Sequence, residues 1–352
     1  MLIKNKRIPI LSLILIGFLP SFAKKWVYRL KGYQIGKGVK IGLGSIITGK
    51  TVVIEQGTEI DFFTFIICEE CKIEANVKIG SFVYFKVDKI SIGFQTVIRE
   101  SNLFGGMDIG KSELKIGHMS HINQKCLINT TLPVYIGNYT AIGGGSYLFT
   151  HGSWQSVLKG YPCTFDPIII GDNVWISWNT FILPGVNIGN GTLVSASSVV
   201  AKSLPEKCLA AGNPAKPIIP SGMFPREPHP EEQIHILSKI LNAFSDFLIK
   251  KRLPVKVVNL DSYTLYVVNK KNSINNLYFL KTKEISIPKT KNPVPTVVLS
   301  LNEISTEIIE EHSSENICFI DIHKSVSYMP NAIGLELIKF LKHYGIHIKI
   351  NN

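Results

Sequence analysis

Aliphatic residues recur at every sixth position along much of the first two thirds of the chain. A period of six fits neither the 3.6-residue turn of an α-helix nor the two-residue alternation of a one-sided β-strand. It predicts a parallel β-helix, in which one aliphatic residue in six points inward and stacks on its counterparts in neighbouring coils. The clearest runs are Ile170, Ile176, Ile182, Ile188, Val194 and Val200, and Ile35, Ile41, Ile47 and Val53.

The six-residue register is interrupted at several places, and each interruption predicts an irregular coil or a loop. The breaks lie near 68–72, 85–92, 99–108, 129–135 and 149–169. The longest, around Thr150 to Pro167, separates two well-formed stretches of repeat. Long loops that project from a rigid scaffold often carry function, so we expect functional side chains there.

The pattern changes after the repeat region. Several prolines within 220–230 predict a linker. Apolar residues then follow a helical spacing of three and four, at Ile234, Leu237, Leu241, Phe244 and Leu248. We expect this stripe to pack on its own domain, with a trimeric coiled coil as the alternative. The rest of the chain predicts a small α+β domain over 231–352. It contains several strand-like runs, of which the last two end at Leu301 and Ile322, then a helix near 332–344 and a final strand over 346–350. This domain carries no recognisable chemical motif.

Composition excludes several classes of protein. The 352 residues are 45% hydrophobic and 18% charged, which excludes a disordered chain. No apolar run reaches the length of a membrane-spanning helix, which excludes a polytopic membrane protein. The formal net charge is +12, yet the first acidic residue is Glu55 and ten basic residues precede it. The surplus is therefore concentrated at the N-terminus and does not indicate a nucleic-acid-binding face.

The N-terminal segment 1–31 has three interpretations. An apolar run from Ile8 to Leu19 lies between two basic clusters and is shorter than the roughly 20 residues that a bilayer-spanning helix needs. It could be a peripheral anchor on an anionic membrane, a signal peptide cleaved after Ala23, or a buried or trimer-packing helix. Lys24, Lys25, Arg29 and Lys31 favour the anchor over export, because positive charge tends to stay inside. We expect a cytoplasmic protein at the inner face of the cell membrane.

Three motifs resemble those of a known family. They are Ile170-Gly171-Asp172-Asn173-Val174-Trp175-Ile176, the stretch Ile182–Gly189, and the tail Gly212-Asn213-Pro214-Ala215-Lys216. They resemble the hexapeptide-repeat acyltransferases, in particular the maltose/galactoside O-acetyltransferase branch and its polysaccharide-biosynthesis relatives. The resemblance covers 32–219. It implies a mainly β fold, a left-handed parallel β-helix, which forms a homotrimer, uses acetyl-CoA and needs no metal.

The resemblance also implies site residues. His151, at the start of the longest loop, takes the place of the family's general base. A neutral imidazole can remove the proton of a sugar hydroxyl as this attacks a thioester, so no covalent acyl-enzyme is required. Asn123 takes the place of an Asn that orients the acceptor hydroxyl, with an Asn stacked inside the β-helix as the alternative. An acidic residue that the family often carries is replaced by Thr130 and Thr131.

The oxyanion donor and the coenzyme contacts come from the same resemblance. The backbone N–H of Trp178 takes the place of the donor, although the family has a small residue there. The coenzyme A contacts fall on Trp178, Ala196, Lys202, Gly212 and Lys216. Lys202 could pair with a phosphate of the coenzyme, or be a solvated surface lysine.

The resulting prediction is an acetyl-CoA-dependent O-acetyltransferase that acts on a sugar in surface polysaccharide or lipid-linked glycan synthesis. Alternatives within the same class are N-acetylation of an amino-sugar and transfer of a longer acyl chain. A non-catalytic β-helix scaffold is a third alternative. A zinc-dependent, carbonic-anhydrase-like β-helix built on His118, His121 and His151 is a fourth, because such sites need three His ligands.

Overall fold

The computed structural model describes residues 13–270, 273–282, 294–312 and 315–351. The chain divides into two compact units, 1–226 and 227–352. The division falls inside the proline-rich range 220–230 that the sequence predicts as a linker.

The first unit consists of three parallel sheets whose strands succeed one another around each coil. The first sheet contains Gln34–Ile35, Thr51–Ile54, Glu70–Ile73, Lys89–Ile92, Glu113–Ile116, Val134–Ile136, Ile168–Ile170 and Asn187–Ile188. The second contains Lys40–Ile41, Glu59–Ile60, Lys78–Ile79, Val97–Ile98, His121–Ile122, Ala141–Ile142, Trp175–Ile176, Leu193–Val194, Leu209–Gly212 and Ala215–Ile219. The third contains Ile46–Thr48, Phe65–Ile67, Tyr84–Lys86, Leu103–Gly105, Leu127–Asn129, Tyr147–Leu148, Phe181–Ile182 and Val199–Val200. This arrangement, typical of a left-handed β-helix, confirms the predicted fold class.

The buried core of the first unit is the ladder of inward aliphatic residues. Ile35, Ile41 and Ile47 are buried and keep the six-residue spacing, but the buried positions of the next strand are Val52 and Ile54. The prediction of Val53 as an inward residue is therefore wrong. One additional residue lies between Ile47 and Ile54, where the chain turns from the third sheet back to the first.

Each coil has three corners, and extra residues accumulate at only one of them. Corner 1 joins the first sheet to the second, corner 2 joins the second to the third, and corner 3 joins the third to the first. The insertions lie at corner 3, between Ile66 and Ile73, Phe85 and Ile92, Phe104 and Ile116, Ile128 and Ile136, and Leu148 and Ile170. Most predicted breaks therefore coincide with corner 3. The break predicted at 99–108 begins too early, because Ile98 and Phe104 keep the six-residue spacing.

An N-terminal helix, Ser21–Leu30, follows a π-helical turn at Leu13–Gly17 and packs on the first coil. Lys24 and Tyr28 on this helix have no exposed surface. The Lys24 ammonium donates to the carbonyl oxygens of Gly42 (2.5 Å) and Ser45 (2.9 Å). Because its ammonium pairs with carbonyls of the first coil, Lys24 does not face outward with the other basic residues of the helix.

None of the helices in the described ranges has the combination of length and apolar character that crossing a bilayer requires.

The second unit contains a seven-stranded mixed sheet with helices, as the predicted α+β domain requires. Its strands, in spatial order, are Val255–Asn259, Tyr263–Lys270, Ser273–Leu280, Thr296–Ser300, Ile317–Asp321, Val326–Tyr328 and Lys349–Asn351. Its helices are Pro230–Lys250, Thr306–Glu311 and Ala332–Leu341, and a 3-10 turn follows at Lys342–Tyr344. Leu237, Leu241, Phe244 and Leu248 are buried in the core of this unit, as predicted. The sequence did not predict the short helix Thr306–Glu311 or the strand Val326–Tyr328.

Burial of Lys24 generates a pH-dependent contribution to stability. Desolvation lowers the pKa of Lys24 from 10.5 to about 8. Between these values the unfolded chain holds a proton that the folded chain has released, so the free energy of unfolding rises with pH. Relative to Lys24→Met, we expect wild type to gain about 2 kcal/mol between about pH 7.5 and about pH 9.5.

Denaturant unfolding of both proteins at the two pH values measures this difference. Lys25→Met is the matched control, because Lys25 lies on the same helix outside the buried face. A difference between wild type and Lys24→Met that does not change with pH would contradict the pKa shift.

Candidate active site

His151 lies at corner 3, where the longest insertion leaves the β-helix. His151–Gly152 pairs antiparallel with Thr164–Phe165, so the insertion begins and ends as a short two-stranded ribbon. The Phe165 ring stacks on the imidazole, with the ring centroids 5.5 Å apart and the planes at 19°. The ribbon and the stacked ring together fix the orientation of His151.

The Nδ1 atom of His151 faces two neutral side chains of the preceding coil. It lies 3.1 Å from Asn129 Oδ1 and 3.1 Å from Thr131 Oγ1. The backbone N–H of Thr131 also donates to Asn129 Oδ1 (3.2 Å), so the atom that faces the imidazole is an acceptor. An amide oxygen cannot donate, so Nδ1 carries the proton and the neutral ring keeps its lone pair on Nε2. This is the tautomer that a general base at Nε2 requires.

Both partners of His151 are held in turn by their neighbours. The Thr150 hydroxyl lies 2.9 Å from Asn129 Oδ1, and the backbone N–H of Leu132 donates to Thr150 Oγ1 (3.1 Å). The backbone N–H of Met107 donates to Thr131 Oγ1 (2.9 Å). The groups that orient His151 are thus anchored to backbone atoms, which limits their rotation.

Gly106, one coil earlier, leaves the space for this network. A Cβ atom at Gly106 would lie 2.4 Å from Thr131 Oγ1 and 3.1 Å from Asn129 Oδ1. A contact of 2.4 Å essentially never occurs, so a larger residue would displace the Thr131 side chain and crowd that of Asn129. The glycine is therefore part of the site, although it touches no reacting group.

Asn129 was not predicted, and of the two threonines only Thr131 contacts the histidine. Thr130 instead is fully buried, and its hydroxyl contacts the Ser112 hydroxyl at 3.2 Å. The number of residues in each coil is the feature of the sequence that could have identified Asn129. Once the extra residues are assigned to corner 3, residues 129–131 lie one coil before His151.

The backbone N–H of Trp178 lies at corner 2 and donates to no atom within the described ranges. Several of the equivalent N–H groups at corner 1 are capped by side chains. His118 N–H donates to Asn138 Oδ1 (2.8 Å), and Asn138 N–H donates to Asp172 Oδ1 (2.7 Å). Asp172 N–H donates to Asn190 Oδ1 (2.8 Å). These three corner 1 donors are thus satisfied internally, whereas the Trp178 N–H is available to an external oxygen.

The Trp178 side chain departs from the small residue that the resemblance implies, and the preceding coil accommodates it. A Cβ atom at Gly144 would lie 2.7 Å from Trp178 Cζ3, so the indole covers this glycine. The side chain is half exposed, at 49%. It therefore borders the surface of corner 2 without filling the β-helix.

Asn123 lies at corner 2, two coils before Trp178. Its side-chain amide donates to the carbonyl oxygen of Ile142 (3.3 Å), and the side chain is partly exposed. The inward position of this coil is Ile122. Asn123 thus lies on the corner, and the alternative of an Asn inside the β-helix is wrong.

The predicted coenzyme contacts lie towards the C-terminal end of the β-helix. Ala196 is exposed at corner 2, one coil after Trp178. Lys202 is exposed just after the last strand of the third sheet. Gly212 and Lys216 lie, both exposed, in the antiparallel pair formed by Leu209–Gly212 and Ala215–Ile219.

The predicted residues fall into two groups that one chain does not bring together. His151 lies at corner 3, whereas Asn123, Trp178 and Ala196 lie at corner 2, and strands of the third sheet separate the corners. His118 lies elsewhere, at corner 1, with its Nδ1 3.2 Å from Glu74 Oε2. The three His of the zinc alternative are therefore not adjacent. Within the described ranges no three His, Cys, Asp or Glu side chains form a metal-binding group.

Comparison with known proteins finds similar sequences among putative acetyltransferases. The chain is 36% identical over 103 residues to the putative colanic acid biosynthesis acetyltransferase WcaF of Escherichia coli, covering 29% of this chain and 56% of that protein. It is 38% identical over 110 residues to the putative acetyltransferase YJL218W of Saccharomyces cerevisiae, covering 30% and 56%. The match thus spans about half the length of these curated relatives.

Among solved structures, the chain resembles the hexapeptide-repeat acetyltransferase VCA0836 from Vibrio cholerae in complex with acetyl coenzyme A. The sequence identity is 29%, the match covers 36% of this chain and 69% of that one, and the TM-score is 0.32. No family model matches the chain. The six-residue ladder and the identity to these curated proteins show that the chain is similar to putative acetyltransferases over part of its length.

Proposed function

We propose that the chain transfers an acetyl group from acetyl-CoA to a hydroxyl of a sugar, in the synthesis of a surface polysaccharide or lipid-linked glycan. The observation that carries the proposal is the orientation of His151. Its Nδ1 is bonded to Asn129 and Thr131, which leaves Nε2 with the lone pair of a general base.

The proposed reaction needs no covalent intermediate. His151 Nε2 takes the hydroxyl proton as the sugar oxygen forms a bond to the thioester carbonyl carbon. The Trp178 N–H donates to the oxyanion that develops on the carbonyl oxygen. The carbon–sulfur bond then breaks, and His151 returns the proton to the leaving sulfur. Asn123 orients the acceptor hydroxyl.

We further propose that two copies of the chain complete each site within a homotrimer. One row of outward residues on the third sheet is apolar, whereas the first strands of the second sheet carry Lys40, Glu59 and Lys78 on their outer side. The apolar set is Phe65, Tyr84, Leu103, Leu127, Tyr147, Phe181 and Val199. Packing of this face against another copy would remove it from water. It would also bring corner 3 of one copy beside corner 2 of the next, so that His151 meets the Trp178 N–H.

Acetyl-CoA would bind along the groove between the copies. Ala196, Gly212 and Lys216 would contact it, and Lys202 would pair with one of its phosphates. The relative WcaF is named for colanic acid biosynthesis, which supports a glycan acceptor. We further propose a peripheral cytoplasmic location at the inner face of the cell membrane.

Loss of the imidazole should abolish most of the transfer. We expect His151→Ala to lower kcat by about 10²–10⁴-fold, because a positioned general base contributes that much. The assay follows release of the coenzyme A thiol from acetyl-CoA with a galactoside, with maltose, and with glucosamine as an amine acceptor. His235→Ala, an exposed His of the second unit, should behave as wild type. Equal transfer by His151→Ala and wild type would overturn the mechanism.

Asn129→Asp tests the positioning role of Asn129. The carboxylate can accept the same hydrogen bonds and adds a negative charge 3.1 Å from Nδ1. Because that charge favours the imidazolium, the acid limb of the kcat/KM profile should move up by about one pH unit. Asn187→Asp, on the exposed side of the first sheet, adds the same charge elsewhere and should leave the limb in place. An unmoved limb in Asn129→Asp would show that Asn129 does not act through the base.

Co-expression of two inactive variants tests the shared site. His151→Ala lacks the base, and Trp178→Pro lacks the backbone donor. If each site takes one group from each of two neighbouring copies, random mixed trimers should regain about one active site in four. Circular dichroism and sedimentation of each variant alone serve as controls for folding and assembly. No regain of activity in well-assembled mixtures would contradict a site shared between copies.

A further inference from the structure

We propose that the outward face of the N-terminal helix inserts into the interfacial region of an anionic lipid bilayer. This face, called the aromatic stripe below, consists of Phe18, Phe22, Trp26 and Leu30. The inference rests on the peripheral location proposed above. It adds which surface of the protein binds the membrane and which lipid charge that surface requires.

The packing of the helix determines which side chains face away from the β-helix. Lys24 and Tyr28 are fully buried against the first coil, and the Tyr28 hydroxyl accepts from the backbone N–H of Ile47 (2.9 Å). Positions two residues away lie about 200° around an α-helix, on the opposite side. Accordingly Phe22, Trp26 and Leu30 are 74%, 65% and 68% exposed. The stripe is thus presented outward by contacts on the other face.

The start of the helix extends the stripe by one turn. The backbone N–H of Gly44 donates to the carbonyl oxygen of Gly17 (2.7 Å), which ties the turn before the helix to the first coil. Phe18 follows directly and is 59% exposed. Four large apolar side chains in one row are unusual on a water-facing helix, and aromatic rings are favoured at the membrane interface.

Basic residues lie beside the aromatic stripe on the N-terminal helix, and no acidic residue lies there. Lys25, Arg29 and Lys31 lie on or just after the helix, and the first acidic residue of the chain is Glu55. Arg29 donates to the carbonyl oxygen of Ile35 (2.7 Å) while its side chain stays exposed. Basic residues beside an apolar helix face are attracted to anionic headgroups.

The same charge argues against a second copy as the occupant of the stripe. Two N-terminal helices packed through this face would bring together Lys25, Arg29 and Lys31 of both copies. The first 54 residues offer no carboxylate side chain to neutralise them. Like charges in contact are unfavourable, whereas an anionic bilayer satisfies both the apolar and the basic side chains.

Vesicle sedimentation with the full chain, in the absence of acetyl-CoA, tests the proposal. The vesicles are pure phosphatidylcholine, or phosphatidylcholine and phosphatidylglycerol in equal parts. We expect binding to the anionic vesicles to be about tenfold tighter or more. The double variant Phe22→Ser, Trp26→Ser should lose about tenfold or more of this binding. Met223→Ser, 68% exposed elsewhere on the first unit, is the control and should not weaken it.

Trp26 also provides a direct report of insertion. Its fluorescence should shift to the blue when anionic vesicles are added, because the indole leaves water. Trp26→Phe keeps the stripe apolar, so it should bind vesicles as wild type does but lose the Trp26 contribution to the shift. A blue shift of undiminished size in Trp26→Phe would contradict insertion of this residue.

The charge requirement is tested by reversing two lysines. Lys25→Glu, Lys31→Glu should lower the preference for anionic vesicles about tenfold or more, whereas Lys111→Glu, exposed on the first unit away from the helix, should not. Vesicle binding that is insensitive to both the stripe and the lysines would overturn the proposal.

Sedimentation velocity identifies the competing occupant. If wild type does not bind vesicles and Phe22→Ser, Trp26→Ser dissociates an assembly of wild type, a second copy covers the stripe and the membrane proposal is wrong. Thiol release with a soluble acceptor should be unchanged in the stripe variant. This activity control separates failure of the membrane proposal from failure of the proposed acetyl transfer.

Discussion

Stacking of one inward aliphatic residue on the next, coil after coil, is the constraint on which the rest of the structure depends. Ile170, Ile176 and Ile182 occupy three successive sheets, and each lies directly above its counterpart in the preceding coil. An extra residue within a strand would move every later side chain to the wrong face. Additional residues are therefore admitted at a corner, and in this chain the insertions occur at corner 3.

That constraint also separates the chemical groups. Corner 1 uses side chains such as Asn138 and Asp172 to satisfy several of its backbone donors, whereas the Trp178 donor at corner 2 has no partner among the residues that the structure describes. Corner 3 holds His151, whose Nδ1 lies against an amide oxygen and a hydroxyl. The corners are rigid and lie on different edges of the β-helix, so the proposed reaction depends on how copies of the chain pack together. The third sheet, with its row of apolar outward side chains, lies between corner 2 and corner 3.

The sequence was most informative where a period fixes the structure. The six-residue spacing predicted the β-helix, its approximate extent and the loop that begins at His151. It failed at Val53, because a single added residue at a corner leaves no mark in an aliphatic run. The burial of Lys24 was not predicted, since a basic residue in a basic segment gives no sign that two carbonyls of the first coil will bind it.

Asn129 illustrates a different limit. It is 22 residues from His151, and that separation corresponds to one coil only when the length of the corner 3 insertion is known. The expected acidic residue directed attention to Thr130 and Thr131, of which one faces the histidine and the other faces away. Side chains that act across coils become predictable after the corners have been assigned, not before.

The location of the insertions has a consequence for how such proteins diversify. The segment between His151 and Asp166 leaves and re-enters the β-helix at adjacent points, joined by the pairing of Gly152 with Thr164. Its length and composition can change without altering the ladder below it or the amide that orients the imidazole. Evolution, or a protein engineer, can therefore exchange the residues between the two paired strands, 153–163, to alter which molecules reach the histidine, while the scaffold, the ribbon and the proposed base are kept.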